Sequence, residues 1–168
     1  MTHARIGEIV VSRNPDDELV ALGLGSCIGV VMSDAQAQVA GLAHVMLPES
    51  GGARGPRGKF ADTAVPELLQ RVLGLGGVRA RLRVAISGGA AMFGSGGQLD
   101  IGARNAVAVR DALRALGLRC DADETGGSEG RTLRIHVGTG VTTVRVAGGA
   151  SIDLLPAAAG TAAARRTN

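Results

Sequence analysis

The stretch Cys27-Ile-Gly-Val-Val-Met-Ser-Asp-Ala-Gln-Ala-Gln-Val-Ala-Gly-Leu-Ala-His44-Val-Met-Leu-Pro48 decides how the chain is read. Two apolar runs rich in Val, Ile, Leu and Met, residues 27–32 and 39–47, flank the polar segment Ser33–Gln38 and read as a pair of antiparallel strands. A two-residue turn at Ala35-Gln36 sets Cys27 directly opposite His44. Their Cβ atoms are then roughly 4.5–5.5 Å apart on one face, close enough for a thiol to meet an imidazole. A slip of one residue would put them on opposite faces. Ala-Gln is also a poor fit to the favoured turn pairs, so a longer loop stays open.

Working outward, residues 5–12 and 18–24 read as earlier strands divided by Asn14-Pro-Asp-Asp17. Pro48 closes the His44 strand, and residues 49–58 form a polar, glycine-rich, positively charged loop. That loop is either the lip of a site or solvated surface. Asp62 or Thr63 can cap a helix whose face is Val65, Leu68, Leu69, Val72 and Leu73. Residues 81–86 read as a buried strand, followed by the glycine-rich loop Ser87–Gly97. A second helix spans 103–116 and stops at Gly117.

A short strand near 118–121, a loop over 121–130 and a hairpin of 132–137 with 141–147 complete the body. From Pro156 the chain is Ala-rich and reads as a frayed tail, leaving one domain over residues 1–155. Two helices among about eight short strands favour an α+β fold of layered mixed sheets with flanking helices, rather than a doubly wound sheet. The loop Gly88–Gly94 has neither dinucleotide-fingerprint nor P-loop spacing.

Composition narrows the class. Hydrophobic residues make up 45% of the 168, with two Phe and neither Tyr nor Trp, so aliphatic side chains fill the interior. The 27 glycines have no three-residue period, which excludes collagen, and they gather at element ends. Two cysteines and no secretory leader favour a reducing cytoplasm, and no apolar run spans a bilayer, so no direct membrane insertion is expected. A net charge of +3 suits an acidic protein partner. Nucleic acid is not expected, because the arginines are diffuse and lack aromatic stacking positions. His3, His44 and His136 make no metal motif.

Six segments in order carry a resemblance that covers nearly the whole body. They are Leu22-Gly-Leu-Gly-Ser-Cys27, Ala43-His44-Val-Met-Leu-Pro48, Gly58-Lys-Phe-Ala-Asp-Thr-Ala64, Gly88-Gly-Ala-Ala-Met-Phe93, Ile101-Gly-Ala-Arg-Asn105 and Asp123-Glu-Thr-Gly-Gly127. The chain resembles the CheD family of chemotaxis proteins, the chemoreceptor glutamine deamidases. The resemblance implies a layered α+β fold like that of the cytotoxic necrotizing factor toxins. It also implies a cysteine hydrolase that converts receptor glutamines to glutamates without a cofactor, and in some systems cleaves receptor methyl esters. The implied partners are methyl-accepting chemotaxis receptors and the phosphatase CheC.

Carried over by motif, Cys27 is the nucleophile and His44 its base, with Gly25 and Ser26 as local or oxyanion support. Arg54, Arg57, Lys59 and Phe93 are candidates for contact with the partner. Asp123 and Glu124 are read as a solvated loop, and Cys120 as core. One departure stands out. The family places a Thr six positions before the cysteine to orient the histidine, and here that position is Ala21. A backbone carbonyl, a water or another side chain must then orient His44, or the protein is a weakly active or inactive adaptor for receptor or CheC.

Overall fold

In a computed structural model, residues 1–92 and 100–159 are described. The strands are β1 (Thr2–His3), β2 (Ile9–Ser12), β3 (Glu18–Leu24), β4 (Ile28–Asp34), β5 (Val39–Val45), β6 (Arg83–Gly88), β7 (Ala122–Thr125), β8 (Arg131–His136), β9 (Thr142–Val146) and β10 (Ser151–Leu155). Helix α1 (Ala61–Gly74) lies between β5 and β6, and α2 (Ile101–Ala115) between β6 and β7. One sheet has the order β1-β3-β8-β9-β10 and the other β2-β5-β4-β6-β7. Each is mixed, because β1 runs parallel to β3 and β7 parallel to β6. The expected α+β class and its layered mixed sheets are what the molecule has.

Period-two alternation explains the layering. On β4 and β5, Ile28, Val30, Met32, Val39, Ala43 and Val45 turn toward the helices, meeting Leu68, Val72, Val109 and Leu113. The opposite parity, Val31, Ala40 and Leu42, meets Leu19, Leu24, Leu133 and Ile135 of the other sheet. Both faces of β4 and β5 are therefore covered, and every residue of the two strands is buried. That is why they read as continuous apolar runs rather than alternating ones.

The β4–β5 register differs from the expected one. Gly29, not Cys27, lies opposite His44, and Ile28 pairs with Val45. Four residues, 35–38, join the strands instead of two. Asp34 accepts from the Gln36 and Ala37 amides, and Gln38 takes φ 54°. A pair such as Asn-Gly could have closed the tight turn; Ala-Gln could not, and Asp34 built a longer one. The shift is two residues, an even number, so face parity is unchanged.

Other boundaries moved as well. Residues 79–81 form a 3-10 turn ahead of β6 rather than its start. The expected strand at 118–121 lies at Ala122–Thr125, where parallel pairing with β6 sets it, so Asp123 and Glu124 are strand residues and not a solvated loop. Each is ion-paired, Asp123 to Arg110 and Glu124 to Arg131. Neither Asp62 nor Thr63 caps α1. Phe60 holds that position without a side-chain cap, while Asp62 accepts from the Ser50 amide. Short β1 and β10 were not expected, and His3 belongs to β1, beside Val20. At the tail, Arg83 Nη1 donates to the Pro156 carbonyl and the Ala158 amide to Thr139.

Candidate active site

His44 is the penultimate residue of β5, on the parity that faces the other sheet, and is 2% exposed. Its backbone is held on both sides: the Gly7 amide donates to its carbonyl at 2.8 Å, and its own amide donates to Glu8 at 3.0 Å. Nδ1 lies 3.0 Å from the Ala4 carbonyl. A carbonyl oxygen only accepts, so Nδ1 carries the hydrogen and Nε2 is left as the acceptor. Nε2 is buried and has no hydrogen-bond partner among the described residues. Ala4 is itself placed by its amide, which donates to Val20 at 2.8 Å, next to Ala21. Ala21 is fully buried and offers the ring no hydrogen bond, and the Ala4 carbonyl fills the orienting role.

Cys27 sits immediately before β4, on the same inter-sheet parity, packed in the cluster of Leu24, Val31 and Leu133. The structure thus brings Cys27 and His44 to one face at one end of the β4–β5 pair. Between them on that face lies Gly29, where a Cβ would come within 2.9 Å of Leu24 and 2.8 Å of Leu133. The residues around Cys27 are tied down from two directions. The Gly89 amide donates to the Cys27 carbonyl at 2.9 Å and the Ala90 amide to Gly25 at 2.8 Å. From α2, Asn105 Nδ2 donates to the Ser26 carbonyl. Gly88 explains the glycine at the end of β6: at φ +116°, a Cβ there would lie 2.1 Å from the Cys27 carbonyl oxygen.

Burial dominates the electrostatics of both groups. It pushes the Cys27 thiol above its ordinary value of 9.0. It also pulls His44 below 6.5, against the opposing effects of the Ala4 hydrogen bond and the Glu8 charge. Both groups are thus biased toward their neutral forms, thiol and imidazole. Cys120 differs: its thiol donates to the Ala122 carbonyl at 3.2 Å, and burial with the Asp123 charge pushes it up to about 11.

Gly25 and Ser26 are half-buried beside the thiol, and a Cβ at Gly25 would come within 3.0 Å of the Met92 sulfur. Arg54 and Arg57 are exposed, but Arg57 is turned toward α1, 2.9 Å from Glu67. Lys59 anchors the base of the loop through its carbonyl, which accepts from the Met46 and Leu47 amides just past His44. Phe93 lies outside the described residues. Sequence reading missed Ala4 and Asn105. A backbone carbonyl carries no residue-type signal, whereas Asn105 lay in a quoted motif and its buried amide was the available clue.

The family model for CheD, chemotactic sensory transduction, matches residues 46–146. A relative from Thermotoga maritima, named chemoreceptor glutamine deamidase CheD, is 46% identical over 144 residues, covering 86% of this chain and 90% of its own. The chain belongs to the CheD family. Two further CheD relatives, from Methanococcus vannielii and Symbiobacterium thermophilum, are named probable chemoreceptor glutamine deamidases. Each is 42% identical, and they cover 84% and 85% of this chain and 92% and 90% of their own lengths. Among the described residues of this CheD family member, no helix is long and apolar enough to cross a membrane.

Proposed function

We propose that this protein hydrolyses the side-chain amides of specific chemoreceptor glutamines, giving glutamate and ammonia, with Cys27 as nucleophile and His44 as base. The observation that carries the reading is the state of His44: Nδ1 bound to the Ala4 carbonyl, Nε2 buried and unpartnered on the face shared with Cys27. With Nδ1 committed to the Ala4 carbonyl, Nε2 is the ring nitrogen left to act as a base.

His44 Nε2 takes the Cys27 proton as the sulfur attacks the glutamine Cδ, and the carbonyl electrons move to oxygen. The imidazolium returns that proton to the departing nitrogen, releasing ammonia and leaving a thioester. Water then adds, His44 accepting its proton, and the thiol departs to give glutamate. Backbone N–H groups of Ser26 and Cys27 are the oxyanion donors in this reading. The same steps cleave a methyl ester with methanol as leaving group. CheC is the further partner in this reading.

The test is incubation with the cytoplasmic domain of the organism's own receptor, with peptide mass spectrometry for Gln-to-Glu conversion and a Cys27→Ala control. Conversion at defined glutamines that vanishes in the control is expected. Binding without conversion would favour the adaptor alternative. Methanol release from methylated receptor in the same reaction tests the esterase arm, and co-purification with CheC tests that partner.

A further inference from the structure

Asn105 is fully buried on α2, yet its side chain reaches two backbone carbonyls that belong to different parts of the site. Nδ2 is 2.9 Å from the Ser26 oxygen and 2.9 Å from the Met46 oxygen. Both are pure acceptors, so the nitrogen, not Oδ1, must face them. Each hydrogen of the amide is then committed. Oδ1 is buried with no partner among the described residues. A side chain serving only to fill that space would need no hydrogen-bonding groups. The donors are what the position requires.

The two carbonyls are informative. Ser26 directly precedes the nucleophile, and Met46 lies two residues beyond the base. The described backbone has no cis peptide, and across a trans peptide the C=O and N–H point in opposite directions. Fixing the Ser26 carbonyl against α2 therefore turns the Cys27 N–H away from α2. The bonds from Gly89 to the Cys27 carbonyl and from Ala90 to the Gly25 carbonyl pin the peptides on either side. The Ser26–Cys27 peptide is left with one orientation.

We propose that Asn105 is a positioning residue for deamidation: it sets the Ser26–Cys27 peptide so that the Cys27 N–H meets the developing oxyanion, and it ties that peptide to the strand carrying His44. The inference rests on the Cys27–His44 reading and adds a residue that acts through the backbone rather than on substrate.

The experiment compares wild type with Asn105→Leu, which keeps the bulk and removes the donors. Two quantities are measured: kcat and KM for ammonia release from a receptor cytoplasmic fragment, and the pH dependence of Cys27 alkylation by iodoacetamide. Losing an oxyanion donor outright costs about 10²–10³ in kcat, so a loosened one should cost roughly tenfold to a hundredfold. KM should stay within about twofold, as expected when only a transition-state interaction is lost. Alkylation should keep its wild-type pH profile, because displacement of iodide builds no oxyanion. If Asn105→Leu does not fold, Asn105→Ser is read by the same criteria.

An unchanged kcat in a folded variant overturns the proposal. So does a loss of kcat accompanied by a shifted alkylation profile, which would mean that Asn105 packs the thiol and imidazole rather than aiming the peptide. Wild-type protein that releases no Cys27-dependent ammonia overturns the underlying reading, and this inference falls with it.

Discussion

His44 is held at Nδ1 by the Ala4 carbonyl and buried at Nε2, and the two conditions act in opposite directions on its proton affinity. Burial wins, so the imidazolium is disfavoured and the pKa lies below 6.5. In its proposed role as base, His44 is competent when neutral, above that pKa. Activity should therefore hold through neutral pH and fall as the pH drops through a midpoint below 6.5, a limb read from kcat/KM against pH. His44→Ala should lower kcat by about 10²–10⁴ and abolish that limb. At Gly88 the argument is steric. Gly88→Ala adds a Cβ 2.1 Å from the Cys27 carbonyl oxygen at a φ that L side chains rarely adopt. It should remove ammonia release, and far-UV circular dichroism should show the sheets still formed.

At the scale of elements, β4 separates stability from catalysis because the two concerns sit at opposite ends of one strand. Cys27 lies just before its start. At its end Asp34, 1% exposed, accepts from the Gln36, Ala37 and Val78 amides and from Arg81. Burial tends to raise this carboxyl, but the Arg81 and amide bonds outweigh it and hold the pKa below 3.8. Asp34→Ala strands those donors and should cost about 3 kcal/mol in urea unfolding. Folded molecules of the variant should keep wild-type kcat. What was legible in the sequence follows the same division. The existence of β4 and β5 was readable because burial on both faces writes itself as apolar runs, and the shared face of Cys27 and His44 survived because the register changed by two residues, an even number. The turn at 35–38 was not readable, since its geometry depends on what Asp34 bonds to. Helix α1 was placed by its apolar face, but its start was misread because Asp62 is drawn to Ser50. The Ala4 carbonyl and the Asn105 clamp rest on backbone oxygens, which every residue has, so no pattern of side chains announces them.

For the whole molecule, the charge that matters is that of the loop following β5. Arg57 is already committed to Glu67 within a trio that includes Arg71, whereas Arg54 is exposed and Lys59 sits over the Phe60 ring at 5.5 Å. Attraction of an acidic receptor surface should then depend more on Arg54 and Lys59 than on Arg57. Replacing the first two with Gln should lower kcat/KM at low ionic strength and flatten its salt dependence, while Arg57→Gln should do less. Identical salt curves for all three proteins would sink the idea. The Ala4–His44 bond has a further consequence. The ring's holder comes from the first few residues and the thiol's clamp from α2, more than a hundred positions later along the chain. A polypeptide nicked or only partly docked at its beginning could keep both sheets and pass most tests of folding, yet lack a poised base. Turnover in this protein is thus a proofreader of its own assembly, reporting whether the first few residues and α2 have both reached the site.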